Sequence, residues 1–230
     1  ADFIPTLMKL PKRLQERHLY GSDADMEGLV WDEYSQSRHV IDPFEIPKSW
    51  DVVVGLDYGQ TNPTAVLWAA IDHDGCIYIY DEHYEAGKVV SYHAESIKQR
   101  NNSQVKEWLI DESCVAKNRE KNGRPSSIIE EYQDNGLFFV PASNSLAGLN
   151  TVNERFKADR LKIFKNCTNT IEEVGQYRWQ KLKPGAVKNQ SEQPLKFKDH
   201  AANVIKYIVA SRPESPIEKK VLSYDAHSEK

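Results

Sequence analysis

The pattern of apolar and polar positions along the chain shows three short apolar runs that follow one another closely. These runs, rich in β-branched residues, cover residues 52–56, 64–71 and 76–85. Runs of this kind predict buried strands. Residues 72–75, Asp-His-Asp-Gly, lie between the second and third runs and form a typical hairpin turn signal. The pattern therefore predicts an antiparallel meander of three strands.

The rest of the chain alternates helical spacing with shorter apolar runs. Apolar residues recur at helical spacing in residues 89–100, 126–135, 147–158, 169–177 and 199–210. Short apolar runs predict strands at residues 105–110, 137–140 and 161–164. Gly136 stands where a residue just past a helix end is expected. Together these elements predict an α/β fold, in which helices flank a mixed β-sheet made of the antiparallel three-strand meander plus parallel strands.

The domain organisation follows from changes in composition. Residues 1–49 contain a predicted amphipathic helix at 7–20 and a proline-containing linker, and the main domain is predicted at residues 50–210. Residues 211–230 are polar and proline-interrupted, so we expect a flexible tail. Because the chain begins at Ala1 without a methionine, we expect it to be a piece of a longer protein.

Composition narrows the class of protein. Hydrophobic residues make up 40% of the chain, which supports a core, and the net charge of -4 gives no overall sign of a nucleic-acid partner. Cys76, Cys114 and Cys167 are scattered, which indicates neither a disulfide framework nor a zinc site and fits a reducing cytoplasm. No apolar run reaches about 18 residues, so no membrane span is predicted.

Three aspartates stand at the ends of predicted elements. Asp57 ends the first strand, Asp111 follows the strand at residues 105–110, and Asp199 opens the last helix. If the two strands are parallel neighbours, all three carboxylates can meet at one sheet edge, where like charges raise one another's pKa. Oxygen ligands suit Mg²⁺ or Mn²⁺, and two such ions can catalyse phosphodiester displacement. His200 is the predicted accessory residue, which assists at this edge or orients a water.

Each aspartate also has a purely structural explanation. An aspartate before a glycine-containing turn, such as Asp57, is often a turn former. Asp111 is equally typical of a turn or a helix cap, and Asp199 stands where a helix cap or first-turn acid belongs. Only the joint placement of the three acids indicates a metal site.

A basic segment with interleaved aromatic residues precedes the third acid. Between residues 177 and 198 the only acidic residue is Glu192, and Trp179 and Phe197 lie among the basic positions. The predicted DNA-binding residues are Arg178, Lys181, Lys183, Lys188, Lys196 and Lys198. Such a segment is suited to holding a phosphate backbone near metal ions, although an ordinary solvated loop has the same composition.

Four motifs along the chain, in this order, resemble the nuclease domain of large terminase subunits from tailed bacteriophages, which has a ribonuclease-H-like fold. They are Gly55-Leu56-Asp57-Tyr58-Gly59, Asp81-Glu82-His83-Tyr84, Ile110-Asp111-Glu112-Ser113 and residues 198–207, Lys-Asp-His-Ala-Ala-Asn-Val-Ile-Lys-Tyr. The last of these is the most specific. Residues 13–30 resemble the end of the ATPase domain of that family and its linker, which would make residues 1–49 that region.

The resemblance implies a metal-dependent DNA endonuclease that cuts concatemeric double-stranded DNA with low sequence specificity by two-metal hydrolysis. Asp57, Asp111 and Asp199 would be the catalytic, metal-binding acids, and two Mg²⁺ or Mn²⁺ ions the cofactors. The implied partners are DNA, an N-terminal ATPase domain, the small terminase subunit and the portal, in the host cytoplasm at the procapsid. No ATPase activity is expected of this chain, because it carries no Walker motifs.

Three positions depart from the pattern of that family. Many relatives have an acid, an aspartate and an arginine where this chain has Asn62, Asn203 and Lys206. The three predicted acids are unaffected, so the resemblance still implies the nuclease activity. Only the finer details of metal coordination stay open.

Other classes of protein stay open at this stage. Residues 57–61, Asp-Tyr-Gly-Gln-Thr, resemble the first phosphate-binding turn of actin-like and sugar-kinase ATPases, but the later loops of those proteins are missing from the chain. A Holliday-junction resolvase of the same fold would use similar acids. In a non-enzymatic DNA-binding module, the basic segment would bind DNA and the aspartates would only form turns.

Overall fold

The protein folds around one mixed β-sheet with helices on both faces. The structure is a computed structural model. It describes residues 28–100, 102–121, 123–142, 147–180 and 193–212. The helix predicted at residues 7–20 lies outside the described residues, as does nearly all of the predicted tail.

The strands confirm the predicted meander and the mixed sheet. They are β1 (Val40–Ile41), β2 (Asp51–Asp57), β3 (Pro63–Ile71), β4 (Ile77–Ala86), β5 (Val105–Asp111), β6 (Arg119–Lys121), β7 (Arg124–Ser126), β8 (Val140–Ala142) and β9 (Leu161–Phe164). The main sheet has the order β1-β9-β4-β3-β2-β5-β8, and β6 and β7 form a separate hairpin. β2, β3 and β4 are antiparallel neighbours, whereas β5 runs parallel to β2 and β9 runs parallel to β4.

Helices cover the two faces because side chains along each strand alternate between them. The helices are α1 (Gln36–His39), α2 (Val90–Lys98), α3 (Ile128–Asp134), α4 (Ala147–Lys157), α5 (Thr168–Gln176) and α6 (His200–Ala210). Val52, Val54 and Leu56 of β2 share a core with α2 and α3, whereas Val53 belongs to the core that includes α4, α5 and α6. No helix among the described residues is both long and apolar enough to cross a membrane.

A glycine in β2 allows α6 to lie close against the sheet. A Cβ atom added at Gly55 would be 2.6 Å from Cγ1 of Val204 in α6. Carbon atoms in favourable contact are about 3.5–4.0 Å apart, so a side chain at position 55 would push the helix away. This close contact keeps the start of α6 beside the end of β2, where two of the three predicted acids are found.

The strand predicted at residues 137–140 is misplaced, because β8 begins only at Val140. The preceding residues belong to the end of α3: the amide of Leu137 donates to the carbonyl of Tyr132, and Gly136 has φ of 80°. This arrangement is a glycine-terminated helix end. Phe138 is therefore 70% exposed. Hydrophobicity alone cannot separate such a connection from a buried strand.

Residues 30–41, which precede the predicted domain boundary at residue 50, pack onto the same core as the main domain. Trp31 is fully buried against the rings of Phe156 and Tyr177. Its indole nitrogen donates to the carbonyl of Leu149 over 3.1 Å, and β1 extends the sheet beside β9. The boundary at residue 50 stays a prediction, but residues 30–41 contribute to the core and the sheet.

Candidate active site

The topology brings the three predicted acids to one edge of the sheet. Asp57 and Asp111 end β2 and β5, which are parallel neighbours with Leu56 paired to Ile110. Asp199 directly precedes α6. The first residue of that helix, His200, reaches Asp57, with 3.1 Å between Nδ1 of the ring and Oδ2 of the carboxylate.

Asp57 is a carboxylate whose negative charge is poorly compensated. Burial raises the pKa of Asp57, the hydrogen bond and charge of His200 oppose this shift, and the charges of Asp111 and Asp199 add to it. The same hydrogen bond raises the pKa of His200, against the effect of burial. A partly buried carboxylate with two acidic neighbours favours any cation that can reach it.

Asp111 combines a structural contact with a place in the cluster. Its Oδ1 accepts from the amide of Ser113 over 2.7 Å, which caps the 3₁₀ turn at Glu112–Val115. The hydroxyl of Tyr207 in α6 donates to its Oδ2. The cap explanation therefore accounts for one oxygen of Asp111, while Tyr207 orients the other, and the residue is only 7% exposed.

Asp199 stands at the cap position of α6 without acting as a cap. Its side chain accepts no hydrogen bond from an amide at the start of the helix. Nδ2 of Asn203 donates to its carboxylate over a long distance of 3.4 Å. The structural explanation therefore does not account for this acid, and its carboxylate faces the cleft beside Asp57.

Lys206 is the basic side chain that α6 places among these acids. It is 5% exposed, so burial lowers the pKa of Lys206, while the charges of Asp199, Asp111 and Asp57 oppose that shift. One ammonium and one imidazole thus face three carboxylates. The cluster keeps a surplus of negative charge, which a further cation would neutralise.

The donor set suits a hard divalent cation, although the described side chains are not arranged to hold one. Among the described residues, no group of three or more His, Cys, Asp or Glu side chains converges on a point that could hold a metal ion. Asp57 faces His200 and Asp111 faces Tyr207 instead. All three acids offer carboxylate oxygens, the ligands that Mg²⁺ and Mn²⁺ prefer. The residues therefore fit such an ion in donor type, provided that Asp57 turns from His200.

An open cleft with a volume of about 710 Å³ lies over this edge. Asp57, Asp199 and His200 line it, and so do the exposed residues Lys196, Phe197 and Lys198, which we call its rim. Phe197 is 64% exposed. The cleft thus combines acidic side chains with a basic and aromatic rim.

The other predicted DNA-binding residues either do not line the cleft or lie outside the described residues. Arg178 is exposed but does not line the cleft, and its carbonyl accepts from the amide of Leu195 over 2.8 Å. The structure does not describe Lys181, Lys183 and Lys188.

Three residues near the site were missed by the sequence analysis: Glu173, Tyr84 and Tyr207. Glu173 in α5 is 2% exposed and accepts hydrogen bonds from the hydroxyl of Tyr84 and the amide of Ala201. Its helical spacing was the available signal, since it shares the buried face of α5 with Thr170 and Val174. The two tyrosines lie in motifs that carry the family resemblance, residues 81–84 and 198–207, but nothing in the sequence assigned them a role there.

Comparisons with known proteins agree with this fold. A family model described as the terminase RNaseH-like domain matches residues 54–212. The terminase large subunit of Escherichia phage T5 is 23% identical over 205 residues, which are 85% of this chain and 44% of that protein.

Two solved structures, both from thermophilic bacteriophages, show the same fold. One is a large terminase in complex with ADP, which has a TM-score of 0.67 at 20% identity, covering 89% of this chain and 52% of that one. The other is the large terminase nuclease of phage G20c with bound cobalt, which has a TM-score of 0.56 at 12% identity, covering 79% and 96%.

The mixed sheet, the helices on its two faces and the acids at its strand ends define a ribonuclease-H-like domain. This chain belongs to the family of terminase RNaseH-like domains. It spans less than half the length of the T5 protein and about half the length of the ADP-bound large terminase.

Proposed function

We propose that this chain is the metal-dependent DNA endonuclease domain of a large terminase subunit. It would cut concatemeric double-stranded DNA during viral DNA packaging, with low sequence specificity. The observation that carries the proposal is the placement of three carboxylates, from β2, β5 and the start of α6, at one edge of the sheet, where the charges of Asp111 and Asp199 raise the pKa of Asp57. The G20c nuclease, which shares the fold, binds cobalt, and this supports a divalent cation here.

In this proposal Asp57, Asp111 and Asp199 hold the cofactor, two Mg²⁺ or Mn²⁺ ions. Bound there, the ions supply the positive charge that stabilises displacement at a phosphodiester phosphorus. Tyr207 keeps Asp111 oriented through its hydroxyl. His200 donates from Nδ1 to Asp57, and it is the residue within reach to hold or move a proton at that carboxylate.

The rim of the cleft is suited to binding the DNA backbone. Lys196 and Lys198 stand beside the acids, and lysines bind phosphates largely without regard to base sequence. Low sequence specificity follows from this mode of contact. Arg178 would extend the same surface, and so would Lys181, Lys183 and Lys188, which stay predictions from the sequence.

Changing both Lys196 and Lys198 to alanine should weaken DNA binding and reduce its salt dependence. If each lysine contacts one phosphate, the slope of log affinity against log salt should fall by about 2. The matched control changes Lys48 and Lys106, which are exposed near the opposite ends of β2 and β5. Fluorescence anisotropy with a labelled duplex at several salt concentrations measures both pairs. Equal slopes in the two double variants would count against a DNA-binding rim.

The partners of the whole protein form part of the same proposal. An N-terminal ATPase domain would precede this region, and the small terminase subunit and the portal would contact the assembled protein in the host cytoplasm. The support is the match to one part of a longer large terminase subunit in phage T5.

Plasmid cleavage tests the proposed activity directly. We expect supercoiled DNA to be cut in Mg²⁺ or Mn²⁺ and to stay intact in EDTA. A folded protein that cuts with no metal ion would contradict the proposal. A strong preference for four-way junctions would favour a resolvase, and ATP hydrolysis by the pure chain would favour an actin-like or sugar-kinase ATPase.

A further inference from the structure

The start of α6 is capped by another helix. The second and third residues of α6, Ala201 and Ala202, carry the amides that a cap side chain at Asp199 would ordinarily bind. Both amides instead donate to Oε2 of Glu173 in α5, over 2.6 Å and 3.3 Å. A carboxylate at this position also interacts favourably with the helix dipole.

Both oxygens of Glu173 are engaged in holding this arrangement. Its Oε2 accepts from the two amides, and its Oε1 accepts from the hydroxyl of Tyr84 in β4. The residue is buried although it lines the cleft. To act as a metal ligand, Glu173 would have to give up one of these contacts, and at 2% exposure little water can replace it.

A second carboxylate fixes α5 in the same way. Cys167, at the cap position of α5, makes no side-chain cap. Glu82 of β4 replaces it, accepting from the amides of Asn169 and Thr170, each over 2.9 Å, and from the Thr170 hydroxyl over 2.7 Å. Two carboxylates in series thus connect the sheet to α5, and α5 to the start of α6.

We propose that Glu173 is a positioning residue of the proposed nuclease site. Its carboxylate performs the capping that Asp199 would otherwise perform, which leaves the carboxylate of Asp199 available to a divalent cation. This inference rests on the proposed function, because it assigns Asp199 to metal binding. It explains why an aspartate stands at the cap position of α6 without capping the helix.

The test compares Glu173→Ala and Glu173→Gln with Glu172→Gln. Glutamine keeps a carbonyl oxygen for the two amides and an NH₂ group for Tyr84, so it should rescue the contacts that alanine loses. Glu172 is the exposed neighbour in α5, paired with Lys198 over 2.6 Å, so its variant controls for the loss of charge. The readouts are Mn²⁺ affinity by calorimetry, amide hydrogen exchange at Ala201 and Ala202 by NMR, and plasmid cleavage.

Glu173→Ala should remove the exchange protection of the two amides and weaken Mn²⁺ binding by about 10- to 100-fold, the range typical of residues that orient metal ligands. Glu173→Gln and Glu172→Gln should stay within about threefold of the parent. If Glu173→Ala does not fold, Glu173→Asp, which keeps the charge but shortens the reach, should show the same weakening.

Two results would overturn the inference. One is parental Mn²⁺ affinity in folded Glu173→Ala or Glu173→Asp. The other is a loss in Glu173→Gln as large as that in Asp199→Asn, which would make Glu173 a ligand. If the parent neither binds Mn²⁺ nor cuts DNA, the proposed function fails, and the amide exchange shows separately whether Glu173 still caps α6.

Discussion

Asparagine in place of Asp57 should lower DNA cleavage in Mg²⁺ or Mn²⁺ by about a thousandfold or more, because it removes a charged ligand worth several kcal/mol of transition-state stabilisation. Asp57 stands at the end of a rigid central strand, beside both other acids. The fold should survive, since the substitution keeps the shape of the side chain and removes a partly buried charge that its acidic neighbours disfavour. Plasmid cleavage over time measures the rate, and circular dichroism checks the fold.

The matched control for this variant is Asp51→Asn, at the other end of the same strand. Asp51 is exposed and is the first of the seven residues of β2, so it lies at the opposite end of the strand from Asp57. The control should cut at the parental rate. Cleavage by folded Asp57→Asn at the rate of the control would refute the assignment of the acids.

The positions of the acids at this edge of the sheet could be predicted from the sequence, because each acid is marked by the residues next to it in the chain. Apolar runs that each end in an aspartate predicted the positions of Asp57 and Asp111. That their strands are parallel neighbours was only a condition in the sequence analysis, which the structure meets. The helical spacing before Ala210 placed Asp199 at the start of the last helix, as the structure has it. Whether these acids bind metal stays a prediction.

The contacts that orient the acids could not be predicted, because they join residues far apart in the chain. Tyr207 meets Asp111 across 96 positions, and Glu173 meets Ala201 across 28. Each residue also fits an ordinary local pattern, a tyrosine in an apolar helix and a glutamate in an amphipathic one. The misplaced strand at residues 137–140 has a local cause instead: a helix end takes the amide of Leu137, and an apolar run alone does not distinguish that connection from a strand.

Divalent cations should stabilise the folded protein, and this effect should require Asp57. At a Mn²⁺ concentration of about 100 times Kd, binding to the native state alone adds about 2.7 kcal/mol. For a domain of this size each kcal/mol raises Tm by about 2–4 °C, so the expected shift is roughly 5–10 °C. The physical reason is the surplus negative charge of Asp57, Asp111 and Asp199, which Lys206 and His200 offset only in part.

Thermal unfolding of the parent, Asp57→Asn and Asp51→Asn in EDTA and in Mn²⁺ distinguishes specific binding from general salt effects. Asp51→Asn should keep the full shift. Asp57→Asn should lose most of it, and in EDTA it should unfold at the parental temperature or above, because a partly buried charge repelled by two acids has been removed. Equal Mn²⁺ shifts in the two variants would mean that the ions bind elsewhere. In that case the three acids would be neighbours in the fold without forming a metal site.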